Sequence, residues 1–425
     1  MIAWLLISFF VLLFLGVPIA MSLGLSAMGG ILFLGGGSTV TIAQRMFEGM
    51  NSFALLAIPL YTFAGFTMSK GGISKRLMDF CYSIVGHIYG GLAHVNVLSS
   101  MIFAGISGSA VADTAGVSGM FMPEMIRKGY SKNFTVAVTA ISSTIGIIIP
   151  PSIPMVVIAG ICGISTGKLF LGGIIPGSLC GLAQMIVSYF LAKKEGVPKE
   201  PGHFTIGPVL HGLWESWPAL LMPIIIVGTI TMGIVSPTEA GVIAVVYGLF
   251  AGGLIYRELK WEDIKFAFAE TVRTSGRVFI AIGAAKLYTV MLTTAGFDKW
   301  VAKTMLGFST NPTVILIMIL LIFFIVTMFM ESIATLTLFM PILYPIALGV
   351  GINPIVLSVL ITVVIGIGLV TPPVGMCIYV ACDLMDTTVG EVFPTLVPFI
   401  AATFVCIALM VAFPQLILLP TYLMA

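Results

Sequence analysis

The chain has 425 residues, of which 59% are apolar and only 8% charged, with a formal net charge of +2. So little charge cannot cover a water-exposed globular domain, and so even a balance supplies no basic face for a nucleic acid. Apolar runs of roughly 20 residues, the length that crosses a hydrocarbon core, recur from end to end, and the chain reads as an all-α polytopic membrane protein.

The first apolar run, 2–36, breaks at Gly16-Val-Pro18 and predicts two short crossings that stop at Gly35-Gly-Gly37. No basic segment precedes it and no small-residue cleavage site stands out, so it reads as membrane helix and not as a signal peptide. Thr41–Met50, with Arg45 and Glu48, predicts an interfacial connection. Ser52–Met68 predicts a crossing stopped by Lys70, Lys75 and Arg76. The stretch 75–95, with His87 and His94, is weakly amphipathic and suits the membrane plane. Val95–Ala104 and Ala115–Ile126 predict the arms of a re-entrant hairpin with its tip at Ser107–Asp113, closed by Arg127, Lys128 and Lys132. Phe134–Ile164 is a crossing interrupted at Gly146-Ile-Ile-Ile-Pro-Pro-Ser152, and Leu169–Leu191 is a further one. Residues 193–212 form the one sizeable polar linker, with His203 and His211.

The second half repeats this order. Trp217–Val235 and Ala240–Tyr256 predict crossings separated by Ser236-Pro-Thr-Glu239. Arg257–Arg277 reads as a basic interfacial stretch, Val278–Thr294 as a crossing, and Lys299 and Lys303 flank a short connector. Thr313–Met330 and Ile333–Leu348 predict a second hairpin. Ile355–Ala381 is a second broken crossing, interrupted at Gly366-Ile-Gly-Leu-Val-Thr-Pro-Pro-Val-Gly375, and Val392–Leu419 is the last. Trp214, Trp217, Trp261 and Trp300 fall near segment ends, as interfacial aromatics do. The six cysteines (81, 162, 180, 377, 382 and 406) lie scattered in apolar runs and read as core residues.

Two matches make the repetition a duplication. Phe339-Met-Pro341 lies 218 residues after Phe121-Met-Pro123, and Pro372-Pro373 lies 222 after Pro150-Pro151. The difference is expected in a longer connection at Gly349–Asn353, and the first offset sets Asp113 on Glu331. The repeats are read as 1–195 and 213–425, joined by a linker at 196–212. In the first, scaffold helices occupy 2–70, the hairpin 92–128, the broken helix 132–165 and a further helix 169–192. Their partners are 213–296, 312–350, 353–385 and 390–420. Cytoplasmic loops collect Lys and Arg. Lys70, Arg127, Lys128, Lys193, Lys194 and Arg257 then share the cytoplasmic side, and no basic residue follows Lys303. The two hairpins therefore enter from opposite sides, both termini lie outside, and the repeats are inverted, an arrangement that places sites at mid-membrane between the repeats.

Backbone that stops being helical at membrane depth survives only where it is buried in protein or lines a wet cavity. Its exposed carbonyls suit a hard cation and its amides a carboxylate. One sodium cage is expected from Ser107, Gly108, Ser109, Asp113, Gly146 and Pro150. Its twin is expected from Glu331, Ser332, Thr335, Gly366, Gly368, Val370 and Thr371. Ser109, Ser152, Thr371 and Pro373 would face an organic anion between the tips. Small residues also serve close helix packing, and Asp113 and Glu331 also suit helix capping. Lys286, mid-crossing, is read first as one half of a structural ion pair and second as a functional group. No HExxH, no G-x-S-x-G with partners and no membrane-depth histidine speaks for an enzyme.

With Leu15-Gly-Val-Pro18, Leu56-Ala-Ile-Pro59, Gly105-Ile-Ser-Gly-Ser109, Ile148-Ile-Ile-Pro-Pro-Ser152 and Thr371-Pro-Pro-Val-Gly375, the whole chain resembles the large membrane subunit of a tripartite ATP-independent periplasmic (TRAP) transporter. The resemblance implies sodium-coupled import of an organic acid delivered by a periplasmic binding protein, across the bacterial inner membrane. It implies a small four-helix membrane subunit as partner and no cofactor beyond sodium. It also implies an elevator, in which hairpins and broken helices slide against a scaffold. Arg45–Ser52 is similar to the sialic-acid branch, with C4-dicarboxylates as the competing substrate class. A stand-alone sodium-coupled di- or tricarboxylate carrier and a channel are the other readings. Gly163–Lys168 and Ser236–Glu239 are the expected docking loops for the binding protein.

Overall fold

The computed structural model describes residues 1–34, 38–197 and 204–424. The expected stop at Gly35-Gly-Gly37 and the linker residues 198–203, including His203, lie outside them. Among the described residues the secondary structure is helical, and seven helices are long and apolar enough to cross a membrane. Side chains such as Phe190 (64% exposed) and Ile224 (66% exposed) project outward from these helices, a surface that belongs in lipid and not in water.

Ile2–Phe14 and Ile19–Leu34 form the expected N-terminal pair, turned at Gly16, whose φ of +80° is open to glycine at little cost. Thr39–Met50 is the helix expected at the interface, started by the Ser38 hydroxyl, which accepts from the Val40 amide. Ala57–Lys70 follows as a crossing and Ile73–Val85 as the amphipathic stretch. Two boundaries differ from expectation. Ile206–Thr231 starts well inside the predicted linker. Trp261–Thr294 is one 34-residue helix where an interfacial stretch and a separate crossing were expected. Charge alone does not stop a helix: Arg273 pairs with Glu270 at 2.6 Å, one turn back on the same face. Lys299 and Lys303 likewise lie in a helix, Phe297–Phe308, and not in a connector.

Both hairpins and both broken crossings are present; the first hairpin's arms are longer than the apolar runs alone predict, while the second hairpin's first arm ends at Thr327, short of the expected Met330. The first hairpin is Gly91–Ser107 and Ala110–Arg127; the second is Pro312–Thr327 and Ser332–Gly349. The first broken crossing runs Lys132–Ser143, a tight turn at Thr144–Ile147, then Ile153–Cys162. The second runs Pro354–Gly368, then Met376–Asp383. Each break holds one cis peptide, Pro150-Pro151 and Pro372-Pro373.

These bounds correct the register of the duplication. The second arms are both 18 residues long, and the connectors Lys128–Ser131 and Val350–Asn353 are equal in length. No longer connection exists at Gly349–Asn353. The extra residues sit in the second hairpin's tip, Met328–Glu331, against Gly108-Ser109 in the first. The two Phe-Met-Pro motifs therefore lie one helical turn out of step, a shift that keeps them on nearly the same face. In position, Glu331 answers to Ser109 and Asp113 to Thr335. Asp113 donates its amide to the Ser109 carbonyl at 3.0 Å, as Thr335 does to the Glu331 carbonyl at 3.0 Å.

Most buried apolar side chains form one core through the hairpins and broken crossings. A smaller core joins Leu5, Phe9 and Leu23 to Tyr288 and Met291 and to Ala334 and Leu338 of the second hairpin. There the Tyr288 hydroxyl donates to the Leu5 carbonyl at 2.8 Å.

Candidate functional site

Each hairpin tip is latched to the break of its own half. The Ile153 amide donates to the Gly108 carbonyl at 3.2 Å, and the Val374 amide donates to the Met328 carbonyl at 3.0 Å. Gly108 has φ +60°, and a Cβ there would stand 2.8 Å from the Pro151 carbonyl oxygen. A Cβ on Gly146 would lie 3.6 Å from both the Ser109 carbonyl oxygen and the Asp113 Cβ, so these three predicted residues meet. The Ser107 hydroxyl accepts weakly from the Ser109 amide at 3.5 Å, and the Pro150 carbonyl lies beside Gly105. The first predicted cluster is thus gathered around one tip.

The second cluster is gathered less tightly. Glu331 is a helix cap: its carboxylate accepts from the amides of Ile333 (3.2 Å) and Ala334 (3.3 Å) and from the Ser332 hydroxyl (3.2 Å). Thr335 returns its hydroxyl to the Glu331 carbonyl at 3.0 Å. Gly368 packs on Thr327, whose Cβ would be 2.6 Å from an added Cβ, and Val370 is fully buried. Gly366 faces the other half: a Cβ there would lie 3.2 Å from the Cβ of Thr144. The two broken crossings therefore cross each other at their breaks.

Asp113 differs from Glu331. Ser109, not Asp113, caps its helix, accepting from the Ala112 amide at 3.4 Å. Both Asp113 carboxylate oxygens are buried without a hydrogen-bond partner among the described residues, facing Ser100 and Cys377. A buried acid left so is costly unless it is neutralised or meets a cation. Of the residues expected at the organic anion, Ser152 already donates to the Ile147 carbonyl (2.5 Å) and accepts from the Met155 amide (3.3 Å), bridging its break. Thr371 donates to the Ile367 carbonyl at 2.7 Å.

Several polar residues here carry no motif. The Thr114 and Ser143 hydroxyls bond at 2.6 Å, and Asn96 ties Thr139 (2.7 Å) to Ser142 (3.0 Å), which accepts from Ser100 at 3.2 Å. The hydroxyl run Ser142-Ser143-Thr144 just before the break was the available signal. The short helix Met376–Asp383 of the second half packs on the first hairpin's second arm, and Ile153–Cys162 packs on the second hairpin's second arm. Each half thus completes the other's surroundings.

Beside these breaks lies a cavity of about 430 Å³, between the interfacial helix and the 34-residue helix on one side and the second hairpin with Ile153–Cys162 on the other. Lys286 and Glu48 line it. The expected structural ion pair for Lys286 is not formed among the described residues. Glu48 is taken by Arg45 at 2.7 Å, whose guanidinium holds that carboxyl below the usual carboxylate range.

Residues 6–416 match the family model described as tripartite ATP-independent periplasmic transporter, DctM component. The chain belongs to this family. It is 37% identical over 393 residues to the isethionate TRAP transporter permease protein DctMQ of Oleidesulfovibrio alaskensis, covering 92% of this chain and 62% of that longer one. It is 35% identical over 408 residues to the sialic acid TRAP transporter large permease protein SiaM of Vibrio cholerae, covering 96% and 95%. The C4-dicarboxylate TRAP transporter large permease protein DctM of Pseudomonas aeruginosa is also 35% identical, over 403 residues, covering 95% and 94%. The crystal structure of the Alcanivorax borkumensis YdaH transporter shares the fold, with a TM-score of 0.60 over 86% of each chain at 13% identity. As a TRAP permease component the chain is a multi-pass membrane transport subunit and not an enzyme.

Proposed function

We infer that this TRAP permease subunit imports an organic acid by coupling it to sodium. Supporting the reading above all is the paired latch, in which each hairpin tip gives its carbonyl to the amide just past a Pro-Pro break. Interrupted helices held in this way present further carbonyls and amides at mid-membrane, where a cation and an acid are bound together. The Ser109–Asp113–Gly146 contact makes the first cage the principal cation site, with the Thr327–Gly368 contact marking the second.

The remaining assignments follow from this reading. The halves 1–195 and 213–425 act as inverted repeats, and hairpins with broken crossings move as one body against scaffold helices 2–70 and 213–296. A small membrane subunit supports the scaffold in the inner membrane. A periplasmic binding protein delivers the acid at the outer face, near Gly163–Lys168 and Ser236–Glu239, where Glu239 closes a capping box with Ser236. Proteoliposomes containing the chain, its small subunit and its binding protein should accumulate the acid only under an inward sodium gradient. Equal uptake with potassium in place of sodium removes the coupling.

A further inference from the structure

The cleft says more about the substrate than the ion cages do, because its charges can be counted. Of the charged side chains lining it, Glu48 bonds Arg45 at 2.7 Å and also feels the charge of Lys286, which itself forms no ion pair among the described residues; two cations thus share one carboxylate and leave a net positive charge. The lysine stem is held from behind: a Cβ on Gly49 would stand 2.6 Å from the Lys286 Cβ, so backbone packs directly on it. The facing wall is mostly apolar, with Val157, Ile161 and Met340, relieved by Thr337 and Tyr344. A surplus positive charge in such a cleft is costly, and a docking anion offsets that cost. A second anionic group on the same molecule would meet apolar side chains or the Glu48 carboxylate.

Resting on the importer reading, we propose that Lys286 receives the single anionic head of the substrate in this cleft, and that the transported acid is a monoanion. Carboxylate and sulfonate heads share this chemistry; dicarboxylates are disfavoured for want of a second surplus positive charge.

The test uses the purified full chain in detergent with sodium chloride, without a binding protein that would impose its own selectivity. Ligand-induced shifts in melting temperature are titrated with pyruvate, sialic acid and isethionate, and with the dianions succinate and malate. At least one monoanion should stabilise the chain, the carboxylate and sulfonate arms showing which head is preferred, and the dianions should not. Lys286→Met keeps the stem against Gly49, so its ligand-free melting temperature should match wild type. Its half-saturating concentration should rise about 10- to 100-fold, as loss of a hydrogen bond to a charged group predicts, while Lys286→Arg stays near wild type. A dianion binding as well as any monoanion, a chain that responds to none of the five acids, or Lys286→Met titrating as wild type overturns the proposal. Sodium-driven uptake that survives Lys286→Met unchanged would sink this inference alone, whereas sodium-independent uptake sinks the importer reading.

Discussion

At the level of single residues, the two carboxylates near the hairpin tips do different things. Glu331 spends its oxygens on two amides and a hydroxyl at a helix start, which is what an N-terminal cap does. Asp113 has its backbone inside the helix and its side-chain oxygens buried without a partner among the described residues. Glu331→Gln keeps an acceptor at the cap and should cost at most about 1 kcal/mol of stability, leaving the sodium dependence of uptake in place. Asp113→Asn should leave the fold intact and raise the sodium concentration for half-maximal uptake by at least about tenfold, since a charge-assisted contact is lost. Sodium titrations of uptake on both variants check the contrast. Equal shifts would mean that both acids serve the ion alike. The sequence offered these residues as a matched pair, because Phe-Met-Pro was the visible ruler. In the structural register Glu331 answers to the cap Ser109, and the Phe-Met-Pro motif, one turn out of step, hides that equivalence.

Among the elements, the contact that matters is tip against break. Hairpins and breaks were legible because glycine, proline and serine interrupt apolar runs that otherwise have no reason to stop. The crossing of the two breaks at Thr144 and Gly366 was not legible. It depends on a three-dimensional approach between segments more than 200 residues apart. Nor was the continuity of Trp261–Thr294, where one of the charges that look like an interface, Arg273, is paired with Glu270 a turn back on the same helix. The latch itself can be tested with two glycines of like backbone. Gly108 and Gly163 both have φ above +60° or close to it, at 60° and 68°, but only Gly108 has a carbonyl 2.8 Å from an added Cβ. Gly163→Ala should cost only the left-handed strain, about 1–2 kcal/mol, and keep its stabilisation by sodium. Gly108→Ala must also push the tip off Pro151, so its thermal stability should fall further and its stabilisation by sodium should vanish. If the two variants melt and respond to sodium alike, the latch does not hold the ion site.

For the whole molecule, the question is whether the hairpin body slides or only its tips open. The cleft lies between the helices proposed as scaffold and those proposed to move, and on its rim the short turn Phe53–Leu56 touches the helix after the first break: a Cβ on Gly160 would lie 3.5 Å from the Ala54 Cβ. That spacing falls within the range of disulfide-linked Cβ atoms. Cys162 is half-buried two residues away, so the pair Ala54→Cys and Gly160→Cys belongs in a Cys162→Ser background. The bond would join scaffold to moving body without touching either hairpin tip, either Pro-Pro break or Lys286. If transport requires the whole body to travel, oxidation of the double variant should abolish uptake, reduction should restore it, and neither single variant should respond. Sodium-induced thermal stabilisation should persist in the oxidised form if the proposed cages lie within the body that moves. Full uptake by the cross-linked protein would instead assign the alternation of access to the tips alone, with Gly108 and Met328 opening while the helices behind them stay still.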